Sequence, residues 1–347
     1  MRGKFLLFFI FLVFNSIIIS FSQNSDSTDC YLIAFYNTEN LFDPRDDSLK
    51  NDEAFTPEGF NHWSFKKMRR KVSNIAKVLL AMGKGEPPDI IGLAEIENRF
   101  VLEQLCYHSP LKKFRYKIVH YDSPDMRGIE VALLYRSERI QIVYSEPIPV
   151  VFPFETSSKN RDILYVVATF PQGDSLHLFV NHWTSRYGGY ASTILKRNHY
   201  AALVREYVTT LLKKNPRCNI LITGDFNDYP TDESVSKILG AVDFSNKEGN
   251  LYNLMLPFFK QQNMGTHKRE DFWGCLDQII VSKALLEEDN RLLIVEREAH
   301  IFKSDFMMIP DEKYGGEKVF RTYLGPKYIG GYADHLPVYL FIRVIKR

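Results

Sequence analysis

Residues 219–228 read Asn-Ile-Leu-Ile-Thr-Gly-Asp-Phe-Asn-Asp, an apolar run that ends in a cluster of oxygen-bearing side chains. The run predicts a buried strand over 219–223. In extended chain Asp225 and Asn227 share one face and Phe226 takes the other. A carboxylate and a carboxamide then meet one ligand while the ring enters the core. Gly224 lets the backbone pass close to a neighbour. The same residues can also form a turn in which Asp and Asn satisfy backbone groups.

The arrangement recurs along the chain. Asn37 follows Ala34-Phe35-Tyr36, and Glu95 follows the apolar stretch 89–94. Asn181 and His182 follow His177-Leu178-Phe179-Val180, Asp277 precedes Gln278-Ile279-Ile280-Val281, and Asp334-His335 precedes 336–342. Side chains at strand ends project into a common crevice while the sheets hold them rigidly. A carboxylate after a fully apolar strand is costly to bury unless it is paired or bound to a cation. Glu97, two residues beyond Glu95, is expected to share its face.

Strands are predicted over 31–36, 89–94, 116–120, 130–135, 140–144, 163–170, 175–180, 219–223, 274–281 and 338–344. A helix is predicted over 64–82, with apolar residues at Val72, Ile75, Ala76, Leu79 and Leu80 and Ser64 as its N-cap. A second covers 191–213. Strands outnumber helices and many neighbours can pair as hairpins. The fold class is therefore α/β of the α+β kind, with large mixed sheets covered by a few helices.

Residues 1–22 carry Arg2 and Lys4, an apolar run from Phe5 to Phe21, and small residues at Ser20 and Ser22. That pattern predicts a secretory signal peptide, a mature chain from Gln23, and a periplasmic or extracellular location. An uncleaved anchor is the alternative, at the short limit for spanning. Residues 23–347 show no linker or repeat and read as one domain, expected to be a monomer with no integral membrane segment. The 347-residue chain holds 44 Lys+Arg and 42 Asp+Glu, so loss of Arg2 and Lys4 leaves the charges balanced. Proteins that live on duplex nucleic acid usually carry a basic surface. Balance weakens that case without forbidding a local basic groove. The four cysteines match no zinc spacing and allow either disulfides or buried thiols.

Asn37, Glu95, Asp225, Asn227, Asp277 and Asp334, with His182 and His335, form an oxygen-rich set suited to Mg2+, with Mn2+ or Ca2+ as alternatives. Zinc would draw on more His or Cys. Arg186, near Gly188 and Gly189, and Arg321 are candidate phosphate-binding guanidiniums. Trp63, Tyr187, Tyr323 and Tyr328 are candidates to stack on bases. Residues 301–310 are apolar enough to form an exposed hairpin. Neither a Gly-x-Ser-x-Gly elbow nor a P-loop is present, which leaves covalent serine chemistry and P-loop nucleotide hydrolysis without support.

Six segments occur in order: FYNTENLFD (35–43), PDIIGLAEIEN (88–98), VNHWTSR (180–186), GDFND (224–228), LDQIIVS (276–282) and ADHLPV (333–338). Through them the chain from Tyr31 to Val344 resembles the endonuclease/exonuclease/phosphatase superfamily, and within it a branch of exported bacterial members. The resemblance implies a four-layer sandwich, with two mixed, mainly antiparallel β-sheets packed face to face and flanked by helices. It implies hydrolysis of phosphate esters by in-line attack of water, in first place as an endonuclease-like phosphodiesterase acting on nucleic acid. An inositol-phosphate or phospholipid enzyme and a non-catalytic binding protein are the alternatives. By the same resemblance Glu95 is the main metal carboxylate, and Asn37 and Asp334 complete or support its site. Asp225 and Asn227 hold the nucleophilic water and the scissile phosphate. Asp277 orients His335, and His335 and His182 flank the phosphate. Ala333 stands where the superfamily usually has Ser, which loses a hydroxyl and no ligand.

Overall fold

The structure is a computed structural model that describes residues 30–261 and 264–345. The segment read as a signal peptide lies outside the described residues. The strands are β1 (Cys30–Leu41), β2 (Ile90–Ile96), β3 (Tyr116–His120), β4 (Glu130–Arg136), β5 (Gln141–Ile148), β6 (Ile163–Thr169), β7 (Ser175–His182), β8 (Ile220–Asp225), β9 (Ala241–Val242) and β10 (Leu251–Asn253). They continue with β11 (His267–Arg269), β12 (Phe272–Gly274), β13 (Asp277–Ser282), β14 (Leu292–Ile294), β15 (His300–Ile301), β16 (Met308–Pro310), β17 (Glu317–Val319), β18 (Tyr323–Leu324), β19 (Lys327–Tyr328) and β20 (Val338–Val344). The longer helices are α1 (Phe65–Met82), α2 (Arg99–Tyr107) and α3 (Tyr190–Lys214).

One large sheet runs β14-β20-β1-β2-β4-β3, with β15 also on β20; the other runs β5-β6-β7-β8-β13-β10-β9. Parallel pairs are β1 with β2, β7 with β8 and β10 with β9, and the remaining neighbours in both sheets are antiparallel. Side-chain alternation sorts each strand between two layers. Ile33 and Phe35 of β1 meet Val166, Leu178, Val180 and Leu221 in the core between the sheets. On the outer face of the first sheet, Ile91 and Leu93 pack on Val72, Ile75 and Leu79 of α1 and Leu102 of α2. On the outer face of the second, Phe179, Ile220 and Ile222 pack on Tyr200, Val204 and Val208 of α3. These are the four layers the resemblance implies. Each fully buried aliphatic side chain contributes about 1.5–3 kcal/mol.

Helix α1 starts as its sequence predicts, with Ser64 accepting from the amide of Lys67 at 3.4 Å. Helix α2 was not expected; Asn98 caps it by accepting from Val101 N at 3.2 Å. The strand expected over 274–281 is split into β12 and β13. A Cβ on Gly274 would lie 2.3 Å from the Tyr229 ring, so only glycine fits where β12, paired to β11, ends. Residues 301–310 do not stand free, because Met307 and Met308 enter the α1 core. Cys30, Cys106, Cys218 and Cys275 are all free thiols.

Candidate active site

Strand register assembles the site. Across β7, β8 and β13, His182 pairs with Asp225 and Asp225 with Asp277, so three polar residues lie in a row at one end of the second sheet. In the first sheet Asn37 pairs with Ala94, beside Glu95. Close contact of the sheet strands requires Gly224: a Cβ there would lie 2.2 Å from the carbonyl oxygen of Asn181. Phe226 is buried against Trp183, with ring centroids 4.6 Å apart, while Asp225 and Asn227 line the cleft. Glu95 and Asn227 both hold left-handed backbone, at φ 60° and 51°. Such conformations in non-glycine residues cost energy and cluster at functional sites.

The cleft is about 620 Å³ and is lined by Glu95, His182, Asp225, Asn227, Asp334 and His335 among others. Asn37 donates its amide to Asp225 Oδ2 at 3.0 Å and to Glu95 Oε1 at 3.4 Å, and accepts from Glu39 N at 3.0 Å. The backbone of Asn40 donates to the other oxygen of Glu95 at 2.9 Å. His182 Nε2 lies 3.7 Å from Asp225 Oδ2 and 3.9 Å from Glu95 Oε1. The backbone N–H of Asn227 fixes Asp225 Oδ1 at 2.9 Å. His335 bonds Asp277 Oδ2 through Nδ1 at 2.6 Å and turns Nε2 toward Asp225, 3.9 Å away.

The electrostatics separate these groups. Burial pushes Asp225 up to about 7 against the attraction of His335, with Asp277 and Glu95 adding to the rise. Burial would lower His335, but Asp277 and Asp225 outweigh it and hold the imidazole well above the ordinary histidine range. Burial, then the nearby Arg161 and Arg127, depress His182 well below that range. Burial also works against Asp334, yet His335, Arg321 and His267 keep it below the usual carboxylate range. Glu95, Asp225 and Asp334 line one cleft with carboxyl oxygens, the donor chemistry a hard divalent cation takes, while His267, Asp334 and His335 are the group whose ligand atoms come within 4.8 Å of one another among the described residues.

Several expected roles are changed. Asn37, expected as a metal ligand, donates its amide to the carboxylates of Glu95 and Asp225, and its oxygen accepts from Glu39 N. Glu97 does not share the face of Glu95, because the left-handed turn at Glu95 breaks the alternation; its Oε2 accepts from Asp43 N in a buried pocket. Arg186 lines the cleft but is neutralised by Asp228, at 2.8 Å, and by Asp232, so it is not a free seat for phosphate. Arg321 bridges Glu39 and Asp334 at 2.9 Å each, and Lys71 also pairs with Glu39 at 3.6 Å. Trp63 is wholly buried and donates to Phe42 O, and of the four expected aromatics only Tyr187 lines the cleft.

Sequence reasoning missed Arg127, Arg269, Tyr229 and His267, which line the cleft, and the buried Glu39. Arg127 lies shortly before the apolar strand β4, as Asp277 and Asp334-His335 lie before theirs, so the same pattern could have found it. Glu39 stood inside FYNTENLFD with no local sign that Arg321, 282 residues away, would meet it.

Residues 32–344 match the sequence profile described as the Endonuclease/Exonuclease/phosphatase family. No curated protein matches the sequence. Similar solved structures include a mannosyl-6-phosphatase of Bacteroides thetaiotaomicron, at 18% identity and TM-score 0.56, covering 90% of this chain and 99% of that one. D. rerio TDP2 complexed with single strand DNA product is 16% identical with TM-score 0.54, covering 91% and 99%. The human nocturnin catalytic domain with bound sulfate is also 16% identical, with TM-score 0.54, covering 91% and 95%. At these identities the likeness concerns the fold.

Proposed function

The chain belongs to the endonuclease/exonuclease/phosphatase family, and from that premise we propose that it is an exported, divalent-metal-dependent phosphodiesterase that uses Mg2+. The observation that carries the proposal is the convergence of Glu95, Asp225, Asp334, His182 and His335, from the ends of both sheets, on one cleft. Export rests on the sequence of residues 1–22.

Glu95 and Asp334 would hold the ion, and Asn37 keeps Glu95 and Asp225 in place. The cation would supply charge neutralisation at the phosphate and stabilise the leaving oxygen. Asp225, with its carboxyl near 7, accepts the proton of the attacking water. The water oxygen bonds to phosphorus as the bond to the leaving oxygen breaks, with no covalent enzyme intermediate. His335, held as the imidazolium by Asp277, donates Nε2–H to a phosphate oxygen. His182 stays neutral and serves as a hydrogen-bonding group, not an acid.

A nucleic acid or other diester is the first substrate class, because Tyr187, Tyr190 and Tyr229 line the cleft with Arg127 and Arg269. Arg269 has no ion-pair partner among the described residues. A phosphate monoester of a small molecule is the second class, favoured by the cleft volume of about 620 Å³, which suits a single small ligand.

The test is hydrolysis, with Mg2+ and with EDTA, of plasmid DNA, RNA, bis-p-nitrophenyl phosphate, inositol phosphates and sugar phosphates. Magnesium-dependent release from a diester is expected, and Glu95→Gln should lower it by about 100- to 10,000-fold. Release from monoesters alone rejects the diester class. Full activity in EDTA rejects metal dependence.

A further inference from the structure

Strand β11 brings a residue to His335 that the hydrolysis described above does not use. His267 meets His335 across an isolated antiparallel bridge, and the two rings lie 4.8 Å apart at 43°. The ring nitrogens of His267 have no hydrogen-bond partner among the described residues.

One ligand atom each from His267, Asp334 and His335 lie within 4.8 Å of one another. The Asp277 contact occupies Nδ1 of His335 and leaves Nε2 facing the cleft, 4.0 Å from Asp334 Oδ1; a metal bound there takes the place of the Nε2 proton, which passes to water. A carboxylate behind an imidazole is the arrangement that orients metal-binding histidines and raises their basicity. Arg321 holds Asp334 Oδ2 at 2.9 Å, which leaves Oδ1 for a second partner. All three side chains line the cleft, so their open side is accessible to an ion and to water.

Two imidazoles and one carboxylate favour a transition metal over magnesium or calcium, which prefer all-oxygen surroundings. Tetrahedral zinc with bonds of about 2.1 Å needs ligand atoms about 3.4 Å apart. The three groups reach that spacing by drawing together by up to about 1.4 Å, within the reach of side-chain rotation.

We propose that His267, Asp334 and His335 form a transition-metal site that takes Zn2+ and, by occupying His335 Nε2, switches the hydrolysis off. The binding half stands on these three residues alone. The switching half rests on the phosphodiesterase reading, so the two are measured separately.

Metal-free full chain is titrated with Zn2+ against a chromophoric chelator, and with Co2+ by visible absorbance. The expected result is one tight equivalent of Zn2+ and the intense visible bands of a four- or five-coordinate, nitrogen-ligated Co2+. His267→Phe should weaken Zn2+ binding by at least about 100-fold. The ratio of magnesium-supported turnover with and without Zn2+ should fall in the wild type and stay near one in the variant. Equal Zn2+ affinity in both proteins overturns the site, as does a pale six-coordinate Co2+ spectrum of the wild type. The spectrum alone decides the matter if the variant fails to fold. Zinc binding that depends on His267, in a chain with no turnover on any substrate, leaves the site standing and removes the hydrolase reading.

Discussion

Glu97→Gln tests the separation of the two acids in PDIIGLAEIEN. Glu97 is buried, its Oε2 accepts from Asp43 N, and its Oε1 and Asp52 Oδ1 are both buried without a partner. Burial pushes its carboxyl up to about 9, with the Asp43 amide opposing and Asp52 adding to the rise. At neutral pH the folded protein therefore keeps Glu97 protonated, whereas the unfolded chain ionises near about 4.3. The folded pKa is the raised one. The contribution of Glu97 to stability is thus whole below about 4.3 and falls by about 1.4 kcal/mol per pH unit as pH rises toward about 9. An amide in its place does not titrate, and can accept from Asp43 N and donate to Asp52. The stability of Glu97→Gln minus that of wild type should grow by about 3 kcal/mol between pH 5 and 7. Urea unfolding of both proteins across that range, in EDTA, measures it. Turnover at pH 7 should be retained, in contrast to Glu95→Gln. Parallel stability curves, or loss of turnover, would refute the structural role given to Glu97.

Asp277→Asn removes a charge-assisted contact of 2.6 Å to His335. Losing about 1.5–3 kcal/mol of orientation and charge should lower kcat by about 10- to 100-fold. Because Asp277 raises the pKa of His335, the alkaline limb of the pH–rate profile should also move to lower pH; an unmoved limb would separate His335 from the protonated role. Arg186→Ala should cost about 1–3 kcal/mol in unfolding free energy through Asp228 and Asp232, with KM changed less than about threefold. Arg127→Ala, whose side chain is 55% exposed at the cleft, should instead raise KM several-fold with little loss of stability. The opposite pattern in steady-state kinetics and urea melts would restore Arg186 as the phosphate seat.

Local pattern determined much of this protein. Apolar alternation and Ser64 placed β3, β20 and α1 within a residue, because burial on a sheet or helix face leaves a period in the sequence. The polar residues that flank those apolar runs, from Asn37 to His335, were legible for the same reason: a strand positions the residues at either of its ends. Partners were not legible. Glu95 and Glu97 look alike in sequence, and only the left-handed backbone at Glu95 sends one to the cleft and the other to Asp43. Arg186 and Arg321 carry the charge a phosphate needs, but the chain fold spends that charge on Asp228, Asp232, Glu39 and Asp334. His267 gained a meaning only when β11 was laid beside His335. Electrostatics falls off with distance in space and not along the chain. The sequence alone therefore determined which residues end the strands, and tertiary structure decided which of them face each other.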